Sequence, residues 1–173
     1  QINDIVKSWA DTIWDVGIAF GTVGVRRNDF KAEITTYRSE IYRDESRKPE
    51  VSFGTTLEAD LLRRDFTINA LAVRLPELEF VDLFDGVSDL SKKLIRTPRE
   101  PELSFSDDPL RMMRGVRFAA QLDFDIESET FFALTTHASR LQIISAERII
   151  DELNKIIQTP KPSYGFKLLF ASK

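Results

Sequence analysis

The sequence predicts an α+β chain in which a mixed, antiparallel-rich sheet with helices precedes an all-α part. Up to about residue 97, short segments of alternating or glycine-punctuated apolar residues predominate, a pattern typical of strands joined by tight turns. Beyond Pro98 and Pro101 the apolar residues recur at helical spacing instead. We therefore predict two domains, at residues 1–97 and 98–173.

The first domain begins with a helical segment and an antiparallel hairpin. Apolar residues recur at helical spacing in residues 2–10. Residues 13–27 are β-like, and the turn signal Asn28-Asp29 separates them from an alternating segment at 30–38. A proline and many charged side chains predict a surface loop at residues 40–54.

One longer helix and three short elements are predicted for the rest of the first domain. Leucines and other apolar residues recur at helical spacing over residues 57–73, which favours a single helix. A short strand at 79–83, a short helix or turn at 87–94 and an extended piece at 95–97 follow.

The second domain is predicted to consist of four helices. Asp108 followed by Pro109 is typical of an N-cap with proline at the first helical position, so a helix begins there and ends near residue 121. The other helices are predicted over residues 127–139, 145–157 and from 164 to about 169.

Composition excludes several classes of protein. The 173 residues are 42% hydrophobic and 30% charged, as in an ordinary globular chain. Cysteine is absent, which excludes disulfides, thiol catalysis and thiolate metal sites and fits a reducing compartment. No apolar run approaches the length of a membrane span. The net charge of -4 argues against a uniformly basic nucleic-acid binder but leaves room for local basic patches.

Residues 63–70 (RRDFTINA) are the most informative segment of the chain. Arg63, Arg64, Asp65 and Asn69 stand beside an apolar run. Guanidinium groups suit phosphate, whereas carboxylate and amide groups suit the hydroxyls of a sugar. The segment therefore predicts contact with a nucleotide.

A second polar stripe lies on the helix predicted from Asp108. Arg111, Arg114 and Arg117 follow Asp108 at steps of three, which places all four side chains along one side of the helix. Three neighbouring guanidinium groups repel one another unless anions lie between them. The spacing alone leaves two interpretations open, a salt-bridged surface and a polyphosphate site.

Asp108 and Arg111 have a further chemical meaning as a pair. A carboxylate only accepts hydrogen bonds and a guanidinium only donates them. Cytosine and adenine each present an exocyclic amine beside a ring-nitrogen acceptor, whereas uracil and guanine reverse both groups. Since a buried unsatisfied group costs about 1–3 kcal/mol, one Asp–Arg pair can select C and A.

Four segments of the chain carry recognisable motifs: residues 63–70 (R-R-D-x-x-x-N), 82–90 (D-P-x-G-G-x-x-D-L), 107–111 (E-D-x-x-R) and 144–149 (I-S-x-E-R-I). Together they resemble the class II (bacterial-type) CCA-adding tRNA nucleotidyltransferases and their poly(A) polymerase relatives. Asp85 replaces the first glycine of the second motif and Asp107 the usual glutamate of the third. We interpret Asp85 as a structural variation, because aspartate is tolerated in turns.

The resemblance implies a partial nucleotidyltransferase head followed by a helical neck. It implies template-independent addition of C and A from CTP and ATP to tRNA 3′ ends, in the cytoplasm. The implied nucleotide-binding residues are Arg64, Asp65 and Asn69 for ribose and phosphates, Asp108 and Arg111 for the base, and Arg114 and Arg117 for the triphosphate. Arg63 is expected only to pair with a neighbouring acid.

The resemblance also implies a two-metal Mg²⁺ site, which this sequence does not supply. The family holds its metals with D-x-D after G-G-x-x-R-D, and the D-x-D found here, Asp123-Phe124-Asp125, follows the arginine helix instead. We expect the metal pair to lie before Gln1 and the chain to be an inactive fragment. Glu33 stands where the family has its third acidic residue and is the catalytic candidate.

Other functions stay open at this point. A poly(A) polymerase or an A-adding enzyme of the same family shares all four motifs. A non-catalytic nucleotide- or RNA-binding module would keep the pocket without the metals. A helical interaction domain would use its arginines only in salt bridges. The oligomeric state is not predicted.

Overall fold

The computed structural model describes residues 2–17, 22–41, 50–53 and 56–172. The chain divides into two compact units, residues 1–60 and 61–173. The boundary predicted after residue 97 therefore falls within the second unit, and the two proposed domains stay a prediction.

The first unit contains a three-stranded antiparallel sheet. Its strands, in order of pairing, are β1 (Thr12–Gly17), β2 (Thr22–Arg27) and β3 (Phe30–Thr35). The two-residue turn Asn28-Asp29 joins β2 to β3, with Asn28 at a φ of 52°, a backbone conformation that asparagine tolerates. The predicted hairpin is confirmed, and β1 adds a strand to it.

A small apolar core supports this sheet. The first helix, α1 (Ile2–Val6), contributes Val6, which is buried with Val23 and Val25 of β2. Alternation along the strand explains this pattern, because residues two apart on a strand share a face.

The predicted loop at residues 40–54 is wrong in part. Strands β4 (Arg38–Ile41) and β5 (Glu50–Phe53) form an antiparallel pair. The valine and phenylalanine of β5 are residues that favour strands, and this local preference outweighs the charged composition of the segment. Residues 42–49 lie outside the described part of the chain.

The single helix predicted over residues 57–73 is also wrong. Helix α2 (Leu57–Leu62) ends early, a 3₁₀ turn covers Thr67–Asn69, and strand β6 (Leu71–Arg74) follows. Strand β7 (Glu79–Asp82) pairs with β6 in an antiparallel hairpin. Backbone pairing with β7 decides the conformation, since apolar spacing over so few residues fits a helix and a strand equally well.

Three short elements lead from this hairpin to the helical bundle. They are α3 (Gly86–Lys92), β8 (Leu94–Ile95) and α4 (Pro101–Asp107). Helix α4 is absent from the sequence prediction, in which Pro101 marked a break. Proline stands at the first position of α4, where its missing N–H removes no helical hydrogen bond.

The predicted helices of the C-terminal part are confirmed. They are α5 (Leu110–Leu122), α6 (Ser128–His137), α7 (Ala146–Ile157) and α8 (Pro162–Ser172). A 3₁₀ segment (Ala138–Ile143) follows α6, and β9 (Asp125–Ile126) pairs in parallel with β8. The α+β class is confirmed as well. Among the described residues, no helix is both long and apolar enough to cross a membrane.

Helix α5 lies at the centre of two apolar clusters in the second unit. One cluster joins it to α4, α6 and α7 through Phe105, Met112, Val116, Ala133, Leu134 and Ile156. The other contains Phe66, which is fully buried and contacts the ring of Phe118 edge-on at 5.9 Å. Gly115 permits this approach, because a Cβ atom there would lie 3.0 Å from Phe66 Cζ. Phe66 therefore anchors the 63–70 segment on α5.

Candidate functional site

Asp65 lies at the centre of a hydrogen-bonded turn before the 3₁₀ segment. Its Oδ1 accepts hydrogen bonds from the backbone N–H of Phe66 at 2.9 Å and from Asn69 Nδ2 at 3.1 Å. Its Oδ2 accepts from both Nε (3.0 Å) and Nη2 of Arg114 on α5. The carboxylate thus orders the turn with one oxygen and joins it to α5 with the other.

The pKa of Asp65 depends on both its burial and its partners. Burial by itself raises the pKa of this carboxyl group, because an ionised group is disfavoured away from water. The charge of Arg114 and the hydrogen bonds from Arg114, Asn69 and Phe66 outweigh burial, so the pKa lies below its ordinary value. Asp65 is therefore ionised at neutral pH.

Arg111 is the most buried of the predicted nucleotide ligands, with 7% of its surface exposed. Its Nη1 donates to the hydroxyl of Ser104 on α4 at 2.9 Å. Its Nη2 donates to the backbone oxygen of Arg63 at 2.6 Å. The guanidinium group therefore connects α5 to α4 and to the residue that precedes Arg64 and Asp65.

Asp108 lies between α4 and α5, two residues before Leu110, and has a different environment. Its Oδ1 accepts from the backbone N–H of Leu110 at 3.1 Å, but the cap residue of α5 is Pro109, so the N-cap predicted at Asp108 is wrong by one residue. Its Oδ2 lies 3.6 Å from Nη2 of Arg148 on α7, and both side chains are partly exposed. Arg148 was not among the predicted site residues.

Arg117 is paired with a carboxylate that sequence reasoning missed. Its Nε donates to Glu152 Oε2 at 2.7 Å, and its Nη1 donates to Gln121 Oε1 at 3.0 Å. The guanidinium carbon also lies 4.1 Å from the ring centre of Phe118, a cation–π contact. The proximity of Glu152 depends on how α7 packs on α5, so no local pattern identifies it.

Glu152 is an ionised group within the helical bundle. Its Oε1 accepts from Lys155 at 2.8 Å while Oε2 faces Arg117. Burial raises the pKa of Glu152, but the hydrogen bonds and charges of Lys155 and Arg117 outweigh it, and the pKa lies below its usual range. Two arginines of the stripe are therefore paired with carboxylates, Arg114 with Asp65 and Arg117 with Glu152.

A buried polar cluster supports the 63–70 segment from the side of α3. Thr67 Oγ1 donates to Asp89 Oδ2 at 2.6 Å, and Arg96 Nε donates to the same oxygen at 3.0 Å. The backbone N–H of Thr67 donates to the carbonyl of Arg96 at 2.8 Å. Asp89 therefore links two of the motifs that resemble the nucleotidyltransferase family.

Asp82 and Asp85 shape the turn before α3. Asp82 accepts from the backbone N–H groups of Gly86 at 2.8 Å and of Val87 at 3.0 Å. Burial of Asp82 raises its pKa, but these backbone donors outweigh it and keep the pKa low. Asp85 has a φ of 60°, the left-handed conformation in which aspartate is one of the tolerated replacements for glycine.

Arg64 and Glu33 occupy more exposed positions. The side chain of Arg64 is exposed, and its backbone N–H donates to the carbonyl of Leu61 at 3.1 Å. Glu33 lies in the middle of β3, opposite Gly24 of β2, with an exposed side chain. Glu33 belongs to the first unit and the other predicted site residues to the second.

The D-x-D sequence is engaged in other contacts. Asp123 forms an ion pair with Lys161 at 2.6 Å, and Asp125 Oδ1 accepts from the hydroxyl of Tyr164 at 3.1 Å. Within the described ranges, no group of three His, Cys, Asp or Glu side chains is arranged to hold a metal ion. Asp123 and Asp125 therefore do not fit the two-metal site that the family resemblance implies.

Two segments of the chain match families of known proteins. Residues 1–96 match the family described as "Poly A polymerase head domain", and residues 123–173 match "Probable RNA and SrmB- binding site of polymerase A". The CCA-adding enzyme of Streptococcus thermophilus (strain CNRZ 1066) is 47% identical over 160 residues, which is 92% of this chain and 40% of the relative. The chain therefore spans about two-fifths of that relative's length.

Two solved structures are similar over almost the whole chain. The crystal structure of the Bacillus stearothermophilus CCA-adding enzyme in complex with CTP has a TM-score of 0.84 and 35% identity, covering 98% of this chain and 40% of that one. A tRNA nucleotidyltransferase complexed with a primer tRNA and an incoming ATP analog has a TM-score of 0.77 and 27% identity, covering 99% and 48%.

Proposed function

The chain belongs to the poly(A) polymerase head-domain family, and on this premise we propose that it supplies the nucleotide-binding part of a CCA-adding tRNA nucleotidyltransferase. The observation that carries the proposal is the connection of α5 to the 63–70 segment. Arg111 binds the carbonyl of Arg63, and Arg114 binds the carboxylate of Asp65. The two motifs expected to share one nucleotide are therefore in direct contact.

The proposed site divides the nucleotide among three groups of residues. Arg64, Asp65 and Asn69 bind the ribose and phosphates, Asp108 and Arg111 read the base, and Arg114 and Arg117 bind the triphosphate. Among the described contacts, Arg114 uses Nε and Nη2 and Arg117 uses Nε and Nη1. One terminal nitrogen of each guanidinium thus remains to donate to a phosphate oxygen.

These residues bind and orient the substrate for transfer. In the proposed reaction the 3′-hydroxyl of a tRNA attacks the α-phosphate of CTP or ATP, and pyrophosphate leaves. By the family resemblance, this chemistry would call for a bound Mg²⁺ pair that acts as a Lewis acid. The described residues do not form that metal site. We propose Glu33 as a supporting carboxylate. The test is to compare the turnover of an active protein that contains this chain with and without the substitution Glu33→Gln.

Base discrimination is the most direct test of the proposal. We expect the chain to bind CTP at least about tenfold more tightly than UTP, because uracil leaves two groups mismatched at about 1–3 kcal/mol each. Asp108→Asn should reduce this ratio, since an amide donates as well as accepts. Equilibrium dialysis with labelled nucleotides measures both affinities, and equal binding of CTP and UTP by the unaltered chain would contradict the proposal.

A poly(A) polymerase is the second candidate function. The description of the family that matches residues 1–96 favours it, and Asp108 and Arg111 serve adenine as well as cytosine. Binding of ATP with no measurable binding of CTP would support it over CCA addition. In either case we propose a cytoplasmic protein whose partner is the 3′ end of an RNA.

We also propose that the 173-residue chain does not add nucleotides by itself. The described contacts of Asp123 and Asp125 with Lys161 and Tyr164 support this, because they engage the D-x-D pair in the helical region. Asp123 also lies just after α5, at a φ of 59°, which suits a helix terminus.

A further inference from the structure

The guanidinium group of Arg111 is held by two neutral acceptors on two different segments. Nη1 donates to Ser104 Oγ, and Nη2 donates to the backbone oxygen of Arg63. We propose that Ser104, which lies outside the motifs above, is a positioning residue that sets discrimination between C or A and U or G. This inference rests on the proposed reading of the base by Arg111.

Two acceptors on separate nitrogens determine the orientation of a planar group. If the guanidinium group rotates about one of its two hydrogen bonds, the other hydrogen bond is broken. A hydrogen bond weakens steeply as its donor–hydrogen–acceptor angle falls. Ser104 is fully buried in α4, where its hydroxyl has little freedom to follow a moving partner. The Arg63 acceptor belongs to the backbone, so Ser104 is the acceptor that a side-chain substitution removes.

The neutrality of these acceptors distinguishes Arg111 from the other arginines of α5. Arg114 and Arg117 face the carboxylates of Asp65 and Glu152, which offset their charge. Arg111 is oriented by a hydroxyl and a carbonyl, which leave its full positive charge for a base acceptor. A residue that distinguishes a hydrogen-bond acceptor from a donor on a base needs a fixed orientation more than it needs a partner that neutralises its charge.

The test compares CTP and UTP affinities of the full 173-residue chain. Ser104→Ala removes the acceptor, and Ser104→Cys fills nearly the same space with a weak acceptor. We expect CTP affinity to fall about fivefold or more in both variants, the equivalent of one lost hydrogen bond of ordinary strength, while UTP affinity is unchanged. Ser172→Ala is the matched control, because Ser172 is also a buried helical serine, and its described hydrogen bond is to Leu169 of its own helix.

The outcomes separate a positioning role from a structural one. A lower CTP-to-UTP ratio in the Ser104 variants, with the ratio kept in Ser172→Ala, supports the inference. An unchanged ratio in folded Ser104 variants, or equal losses for both nucleotides, overturns it while leaving the proposed function intact. A ratio near one in the unaltered chain overturns the proposed base reading and this inference with it. If Ser104→Ala does not fold, the CTP-to-UTP ratio of Ser104→Cys is the deciding measurement.

Discussion

At the scale of single residues, Asp65 has a structural role in addition to the ligand role that the sequence predicts. The motif identified it as a ribose and phosphate ligand. In the structure its carboxylate also orders the turn through Phe66 and Asn69 and pairs with Arg114. Because Asp65 has this many partners, we expect its loss to lower stability, and we expect that effect to depend on pH.

We expect Asp65→Asn to lower the free energy of unfolding by about 1–3 kcal/mol at pH 7, since Arg114 loses the anion that pairs with it. The pKa of Asp65 is lowered in the folded chain, so its contribution is present above the ordinary aspartate pKa near 4. That contribution is lost as the pH falls through the lower, folded-state pKa. Urea unfolding at pH 7 and at about pH 3 should therefore show the two proteins converging in acid.

Asp123→Asn is the control for Asp65→Asn. Asp123 is exposed and pairs with Lys161 at the surface. Removing its charge should leave the unfolding free energy nearly unchanged, because exposed ion pairs contribute little. A constant difference between the unaltered chain and Asp65→Asn from pH 7 to pH 3 would show that the lowered pKa of Asp65 does not contribute to stability.

At the scale of elements, α3 packs closely against the 3₁₀ turn at residues 67–69. A Cβ atom at Gly86, the first residue of α3, would lie 2.4 Å from the backbone oxygen of Thr67. The same turn carries Asn69 and follows Asp65. Any side chain at residue 86 must therefore displace the turn that the nucleotide is proposed to contact.

We expect Gly86→Ala to destabilise the fold by about 1–3 kcal/mol, the usual cost of overpacking, and to weaken CTP binding. Thermal unfolding and equilibrium dialysis measure the two effects. Ser91→Ala, an exposed position on the same helix, is the control and should change stability by less than about 0.5 kcal/mol. Unchanged stability in Gly86→Ala would mean that α3 and the turn are less closely packed than described.

The elements also show where sequence patterns were sufficient. The helices α5 to α8 were predicted within a few residues, because each has a long apolar stripe and a recognisable start. Residues 57–73 were not, because six residues of helix, a 3₁₀ turn and a strand of four residues together imitate helical spacing. The partner strand β7 lies beyond residue 73. The pairing of β6 with β7 therefore cannot be predicted from residues 57–73 alone.

At the scale of the whole molecule, the chain spans about two-fifths of the Streptococcus relative's length, and we expect it to bind nucleotides without incorporating them. The measurement is incorporation of labelled CTP into a tRNA that ends before its CCA, with Mg²⁺ present. The Streptococcus thermophilus CCA-adding enzyme is the positive control. Incorporation by the 173-residue chain would contradict the proposal and would direct attention back to Glu33 and the D-x-D pair.

The sequence alone determined the α+β class, the helices after residue 107 and the family, because these depend on local periodicity and on motifs whose residues are close together in the chain. The partners of the site residues were decided by tertiary structure. Ser104 at Arg111 and Glu152 at Arg117 come from other helices, and the Arg63 carbonyl comes from a segment 48 residues away. Spacing along one helix shows which side chains share a face, but only packing between elements determines what that face contacts.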